Sequence, residues 1–196
     1  WLSSVFFRKS TFQDQFDNVE ITYQLQKIAS FGILLYALSQ SFGFVDWVMS
    51  ITPHWFSTIF GIYFFAGSVV VAISSIILIS LFLRKHGYLS TIITVEHYHD
   101  LGKLLYGFNI FWTYIAFSQF FLIWYADIPE ETVWYLQHFN GSWGIIANFL
   151  IIGHFFVPFL LLMPKAVKRN LKTLGIISGW MIFMHLVDMY WIIMPN

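Results

Sequence analysis

The sequence contains no cysteine. That excludes disulfide bonds, thiolate metal sites, iron–sulfur clusters ligated by this chain and covalent attachment of a c-type haem, so any redox cofactor held here would rest on histidine. Charge is scarce as well: Asp, Glu, Lys and Arg make up 10% of the 196 residues, whereas soluble domains carry about 25%. Ten basic side chains are balanced by ten acidic ones, which removes the basic surplus that nucleic-acid binding or polybasic attachment to anionic lipid would need. A Gly-rich phosphate loop, a nucleophile with its base and orienting partner, and paired catalytic carboxylates are also missing. Hydrolase or transferase chemistry of the soluble kind therefore has no footing.

What is present is apolar. Hydrophobic residues make up 58% of the chain and aromatic residues 21%, with a mean hydropathy of +0.69, more apolar surface than a water-soluble fold of this size can bury. Five long apolar segments stand out, at residues 27–49, 56–83, 101–126, 143–163 and 171–194. Each reaches the length of about 20 residues that crosses a bilayer core, and helices satisfy their own backbone groups there. The expectation is an all-α integral membrane protein with about five transmembrane helices in one bundle over residues 27–196. Residues 1–26 are expected to hold the end of a preceding helix, Trp1 to Phe7, stopped by Arg8 and Lys9 and missing its beginning, and then a polar extramembrane connection from Arg8 to Gln26.

Following the segments alternately across the membrane puts all ten Lys and Arg residues on one side, which the positive-inside rule makes cytoplasmic. The other side receives Asp46, Asp127, Glu130, Glu131, the Pro53 turn and the Asn140-Gly141 turn, along with Trp47, Trp55, Trp124, Tyr125, Trp134, Tyr135 and Trp143. This is the pattern of an aromatic belt at the outer interface. In the second segment, Ser57 with Gly61 and Ser68 with Ala72 are small residues one turn apart, spaced for close helix packing.

Ionisable groups within a span are costly and point to function. His154 and His185 sit on consecutive segments, both roughly 15–17 Å from the outer end at the rise of an α-helix. Three readings are open: ligands to a b-type haem, steps in a proton relay, or two structural hydrogen bonds. Asp188 follows His185 at i+3 and shares its helix face, which adds to the relay reading. The third segment has a polar stripe that includes Asn109, Thr113, Tyr114, Ser118 and Gln119; it suits either a hydrated path or interhelical hydrogen bonding. Glu96-His97-Tyr98-His99-Asp100 is the densest titratable run, yet its histidines at i and i+2 fall on different helix faces, which argues against a metal site and for interfacial solvation or proton uptake. On the outer side, Asp46 and His54 flank a short turn and serve either to fix it or to release protons.

Three stretches carry a family resemblance: DWVMSITPHWFSTIFGIYFFAG (Asp46 to Gly67), HDLGKLLYGFNIFWTYIAFSQFFLIWYADIPEETVWY (His99 to Tyr135) and HLVDMYWIIMP (His185 to Pro195). They resemble the membrane subunits of alternative complex III, the bacterial quinol:cytochrome c oxidoreductase unrelated to the bc1 complex, and more narrowly the members grouped with the polysulfide reductase and nitrite reductase (NrfD-like) membrane subunits. Family members carry two helical bundles, and the resemblance implies that this chain corresponds to the C-terminal one. The resemblance implies a multi-pass subunit of the bacterial inner membrane with no haem or metal of its own. Its partners would be a quinol-oxidising sister subunit, iron–sulfur and multihaem cytochrome c subunits, and often an aa3- or caa3-type oxidase. It further implies that the chain is accessory rather than catalytic, conducting protons for energy conservation, with quinone or menaquinone binding by analogy to the sister. Asp46, His54, Tyr114, Ser118, His154, His185 and Asp188 are the residues expected to form the route.

Overall fold

The computed structural model describes residues 2–15, 19–88 and 92–195; Trp1, the first residue of the expected truncated helix, lies outside them. The described residues are all-helical, with no strand. Among the described residues nine α-helices follow one another: α1 (Leu2–Gln15), α2 (Val19–Trp47), α3 (Phe60–Lys85), α4 (Val95–Ala126), α5 (Pro129–Phe139), α6 (Gly141–Leu150), α7 (Val157–Leu162), α8 (Lys165–Arg169) and α9 (Leu171–Ile193). A 3-10 turn, Met49–Ile51, follows α2, and a π-helical turn, Ile151–Phe156, joins α6 to α7.

Four helical stretches among the described residues are long and apolar enough to cross a membrane: Val19–Ile51, Phe60–Lys85, Gly141–Leu162 and Leu171–Ile193. They coincide with four of the five expected segments. The fifth is a helix too, the 32-residue α4, but its Asn109, Gln119, tryptophans and tyrosines make it less apolar than the rest.

The helix expected to stop at Arg8 and Lys9 runs on into the polar stretch, of which residues 16–18 lie outside the described residues. α1 continues past Arg8 and Lys9 to Gln15, and α2 begins at Val19. Lys, Arg and Gln are good helix formers, and here their polar ends find partners across the hairpin: Lys9 Nζ donates to Gln24 Oε1, and Gln13 Nε2 donates to Thr22 Oγ1.

α3 is the central helix, packed against α2, α4 and α9. Its small residues face α2: Gly61 lies against Ser41, and the Ser68 hydroxyl bonds Gln40, so the packing expected of these positions is present, while Ala72 is exposed. Stacking of Phe44 on Phe64 at 3.9 Å adds to the same contact. Two apolar clusters fill the bundle. One, toward α5, contains Trp55, Phe60, Trp112, Trp134, Met184 and Trp191; the other, toward α8, contains Val70, Ile77, Leu105, Leu162, Leu174 and Met181.

Specific bonds close the end that holds α8. Lys168 is buried, with Nζ donating to the carbonyls of Leu162 (2.6 Å) and Met163 (3.1 Å), which serves the exposed carboxyl end of α7; burial moves its ammonium below the ordinary lysine range. The Asn170 side chain caps α9 by accepting from the Lys172 and Thr173 amides. The titratable run forms the first turns of α4 and is split among separate duties: Glu96 pairs with Arg169, His97 Nδ1 caps the Thr94 amide at 3.1 Å, and Asp100 pairs with Lys103 at 2.7 Å. The Lys103 ammonium beside it holds the Asp100 carboxyl below the ordinary aspartate range. No group of three metal-binding side chains forms among the described residues.

The glycines give a direct check on helix packing. A Cβ at Gly61 would come within 2.6 Å of Ser41 Cβ, whereas one at Gly179 meets nothing within 4 Å. Gly61→Ala is therefore expected to destabilise the folded protein by about 1–3 kcal/mol through overpacking, while Gly179→Ala stabilises α9 by up to about 1 kcal/mol. Unfolding of the two variants in mixed micelles checks the opposite signs.

Candidate functional site

His154, His185 and Asp188 meet in the interior. His154 and Asp188 are fully or almost fully buried at 0% and 1% exposure, and the His185 side chain is 13% exposed. The imidazole centroids are 6.2 Å apart. His185 Nδ1 lies 3.8 Å from Asp188 Oδ2, beyond hydrogen-bonding distance. The other carboxylate oxygen, Oδ1, accepts a hydrogen bond from the Tyr63 hydroxyl of α3. Trp112 of α4 completes the cluster, its ring 3.8 Å from that of His154 and 5.6 Å from that of Tyr63.

Local backbone geometry makes the arrangement fit. Pro158 lacks an amide proton, and its ring crowds the carbonyl four residues earlier, which is that of His154. The chain answers with the π turn, where the Val157 amide bonds Ile152 O. The carbonyl of Gly153 then accepts from the indole of Trp180 on α9, at 2.8 Å, and His154 is directed at α4 and α9. π turns are frequent at functional sites. On α3, the missing Cβ of Gly67 is what admits His185: a methyl there would collide with the imidazole and touch Trp112.

Several buried polar atoms of the cluster have no partner among the described residues: both ring nitrogens of His154, His185 Nδ1, Asp188 Oδ2 and Trp112 Nε1. Asn109, one turn before Trp112, and Ser74, two turns beyond Gly67 on the antiparallel α3, extend the series toward the α8 end, and their side-chain polar atoms are also buried without a protein partner. Such groups cost about 1–3 kcal/mol each when left unsatisfied, and buried water is the usual partner.

Beside the cluster lies a cavity of about 530 Å³. Asp188, Tyr63, Gln119 and Trp112 form part of its wall, and Phe60, Phe120, Trp134, Tyr135 and Trp191 much of the rest. It reaches the surface between α4 and the α6–α7 helix, where the lining residues Phe117, Ile151 and Phe156 are exposed. α5 roofs it. This helix is anchored through His138, whose ring nitrogens face the carbonyls of Trp134 (2.7 Å) and Ile192 (3.3 Å), while Trp191 Nε1 donates to His138 O at 3.1 Å. Burial holds the His138 imidazole below the ordinary histidine range, and the two carbonyls offset part of that shift. Trp134 also stacks on Trp55 at 4.6 Å.

The other expected route residues stand apart. Tyr114 is 64% exposed on the outside of α4, Ser118 is half-buried, and Asp46 and His54 are exposed near the turn after α2. The members that sequence reasoning missed are Tyr63, Trp112 and Gly67. Two checks follow. Tyr63→Phe is expected to cost about 1–3 kcal/mol by stripping Asp188 Oδ1 of its donor, and Tyr63→Phe in an Asp188→Leu background to cost much less, a double-mutant cycle readable from unfolding midpoints. Gly67→Ala is expected to cost about 1–3 kcal/mol by overpacking and to move the His185 ring resonances in NMR, whereas Gly107→Ala, which meets open space, leaves them in place.

Compared with protein-family models the chain matches none, and a search of curated proteins returns no match.

Proposed function

We propose that this chain is a membrane subunit of a bacterial respiratory quinol:cytochrome c oxidoreductase of the alternative complex III type, supporting proton movement and assembly while electrons travel through other subunits. In this reading α4 is a fifth span beside the four apolar ones, the basic ends of α3, α4, α8 and α9 face the cytoplasm, and the α5 side faces outward. Iron–sulfur clusters and haems belong to partner subunits, as does quinol oxidation, and the chain binds no metal or haem itself.

The observation that carries the reading is the convergence of His154, His185 and Asp188 with Tyr63 inside an otherwise apolar bundle. A scaffold has no need of it, because ionisable groups at such depth are expensive and are retained where protons or ligands are handled. The unpartnered atoms of Ser74 and Asn109 extend the polar series into the apolar cluster of Val70, Leu105 and Met181, as a hydrated path would require.

A second reading is favoured by the aromatic cavity: a quinone or quinol could occupy it directly, with its head group at Asp188 and Tyr63. The volume, about 530 Å³, falls within the roughly 300–1,000 Å³ of small-molecule sites.

Replacing His185 and Asp188 together by leucine separates the readings in the intact complex reconstituted into vesicles. Proton conduction predicts unchanged quinol oxidation with membrane-potential generation at least halved. Unchanged coupling excludes conduction, and loss of quinol oxidation together with loss of co-purifying quinone assigns the second reading.

A further inference from the structure

The polar end of the aromatic cavity carries a charge preference. Asp188 is the only carboxylate on its wall, and no lysine, arginine or histidine lines it among the described residues. Tyr63 is already bonded to Oδ1, and Oδ2, buried, has no donor among the described residues. His185 does not fill that role at 3.8 Å. The remaining surface is mostly aromatic, including Trp112, Trp134 and Trp191.

A buried carboxylate is costly as an anion unless a counter-charge accompanies it, and aromatic faces attract cations through their quadrupole. We propose that the cavity is a binding site for a lipophilic organic cation, a protonated amine on an apolar body, whose ammonium donates to Asp188 Oδ2 while its body lies among the rings. The opening between α4 and the α6–α7 helix, bordered by exposed Phe117 and Phe156, admits such a ligand from the apolar phase. This assignment rests on the cavity and on Asp188; it stands or falls separately from proton conduction, and differs from quinone binding in demanding positive charge.

Adamantylamine and adamantanol are compact probes of nearly the same shape. Both carry a hydrogen-bond donor, and only the amine is charged at neutral pH. Binding of each to the purified full chain in nanodiscs is read from tryptophan fluorescence against protein-free nanodiscs. The proposal predicts that the amine binds at least about tenfold more tightly than the alcohol, that Asp188→Asn removes the difference, and that Ala116→Phe, which fills the cavity and leaves the carboxylate in place, removes binding. Equal binding of amine and alcohol, or an amine affinity that Asp188→Asn and Ala116→Phe leave unchanged, overturns it. Absence of saturable amine binding to the folded wild-type chain overturns it as well.

Discussion

A carboxyl group inside an apolar helical bundle sets the terms for much of what surrounds it. Asp188 is 1% exposed, so its favourable interactions have to come from neighbouring side chains and from whatever occupies the cavity it lines. Among the described residues, Tyr63 supplies the only direct hydrogen bond to it. For that phenol to reach α9, α3 must approach closely, and Gly67 allows this by leaving room for the His185 ring. Trp112 then fits between Tyr63 and His154, and the π turn before Pro158 directs His154 at the same place. The small residue at Gly67, the placing of Trp112 and the helix irregularity are in this sense answers to one electrostatic problem.

The two halves of the bundle solve the packing problem differently. Toward α8 the interior is mainly aliphatic, with Val70, Ile77, Leu105, Leu162 and Leu174 buried together, and the helix ends are tied by Lys168, Asn170 and the Glu96–Arg169 pair. Toward α5 it is aromatic. Flat rings stacked edge to face do not fill space as completely as branched aliphatic side chains, and the cavity opens among them. α5 closes its outer side, pinned by His138 and Trp134. The site therefore lies where a polar cluster meets loosely filled aromatic space, a setting suited to small ligands or water.

Much of this was legible in the sequence. Runs of apolar residues located the long helices, because few other features compete with such composition, but α2 and α4 begin earlier than expected, at Val19 and Val95, in polar turns that the apolar runs do not mark. The i, i+3 spacing of His185 and Asp188, and the similar depth of His154, brought these three together before any coordinates. Tyr63 and Trp112 were not legible, since 21% of the chain is aromatic and nothing local distinguishes the rings that bond or stack on an ionisable group. Gly67 was hidden for the same reason: its role is set by a side chain more than a hundred residues away. Tyr114 and Ser118 were placed with the polar stripe of α4, but a helix presents its residues all round, and the interior takes Asn109, Trp112 and Gln119 instead. The polar residues before α2 read as a connection because they cannot cross a membrane. Residues 8–15 are helical all the same, with lateral bonds to α2.

The most direct test of the central claim is infrared difference spectroscopy of the carboxylic C=O stretch, recorded on the intact complex as it is driven through turnover. If the His154–His185–Asp188 cluster handles protons, a band from a buried carboxyl group changes in step with turnover, is displaced in Tyr63→Phe and disappears in Asp188→Asn. A spectrum with no such band, or one that Asp188→Asn leaves unaltered, would contradict the account.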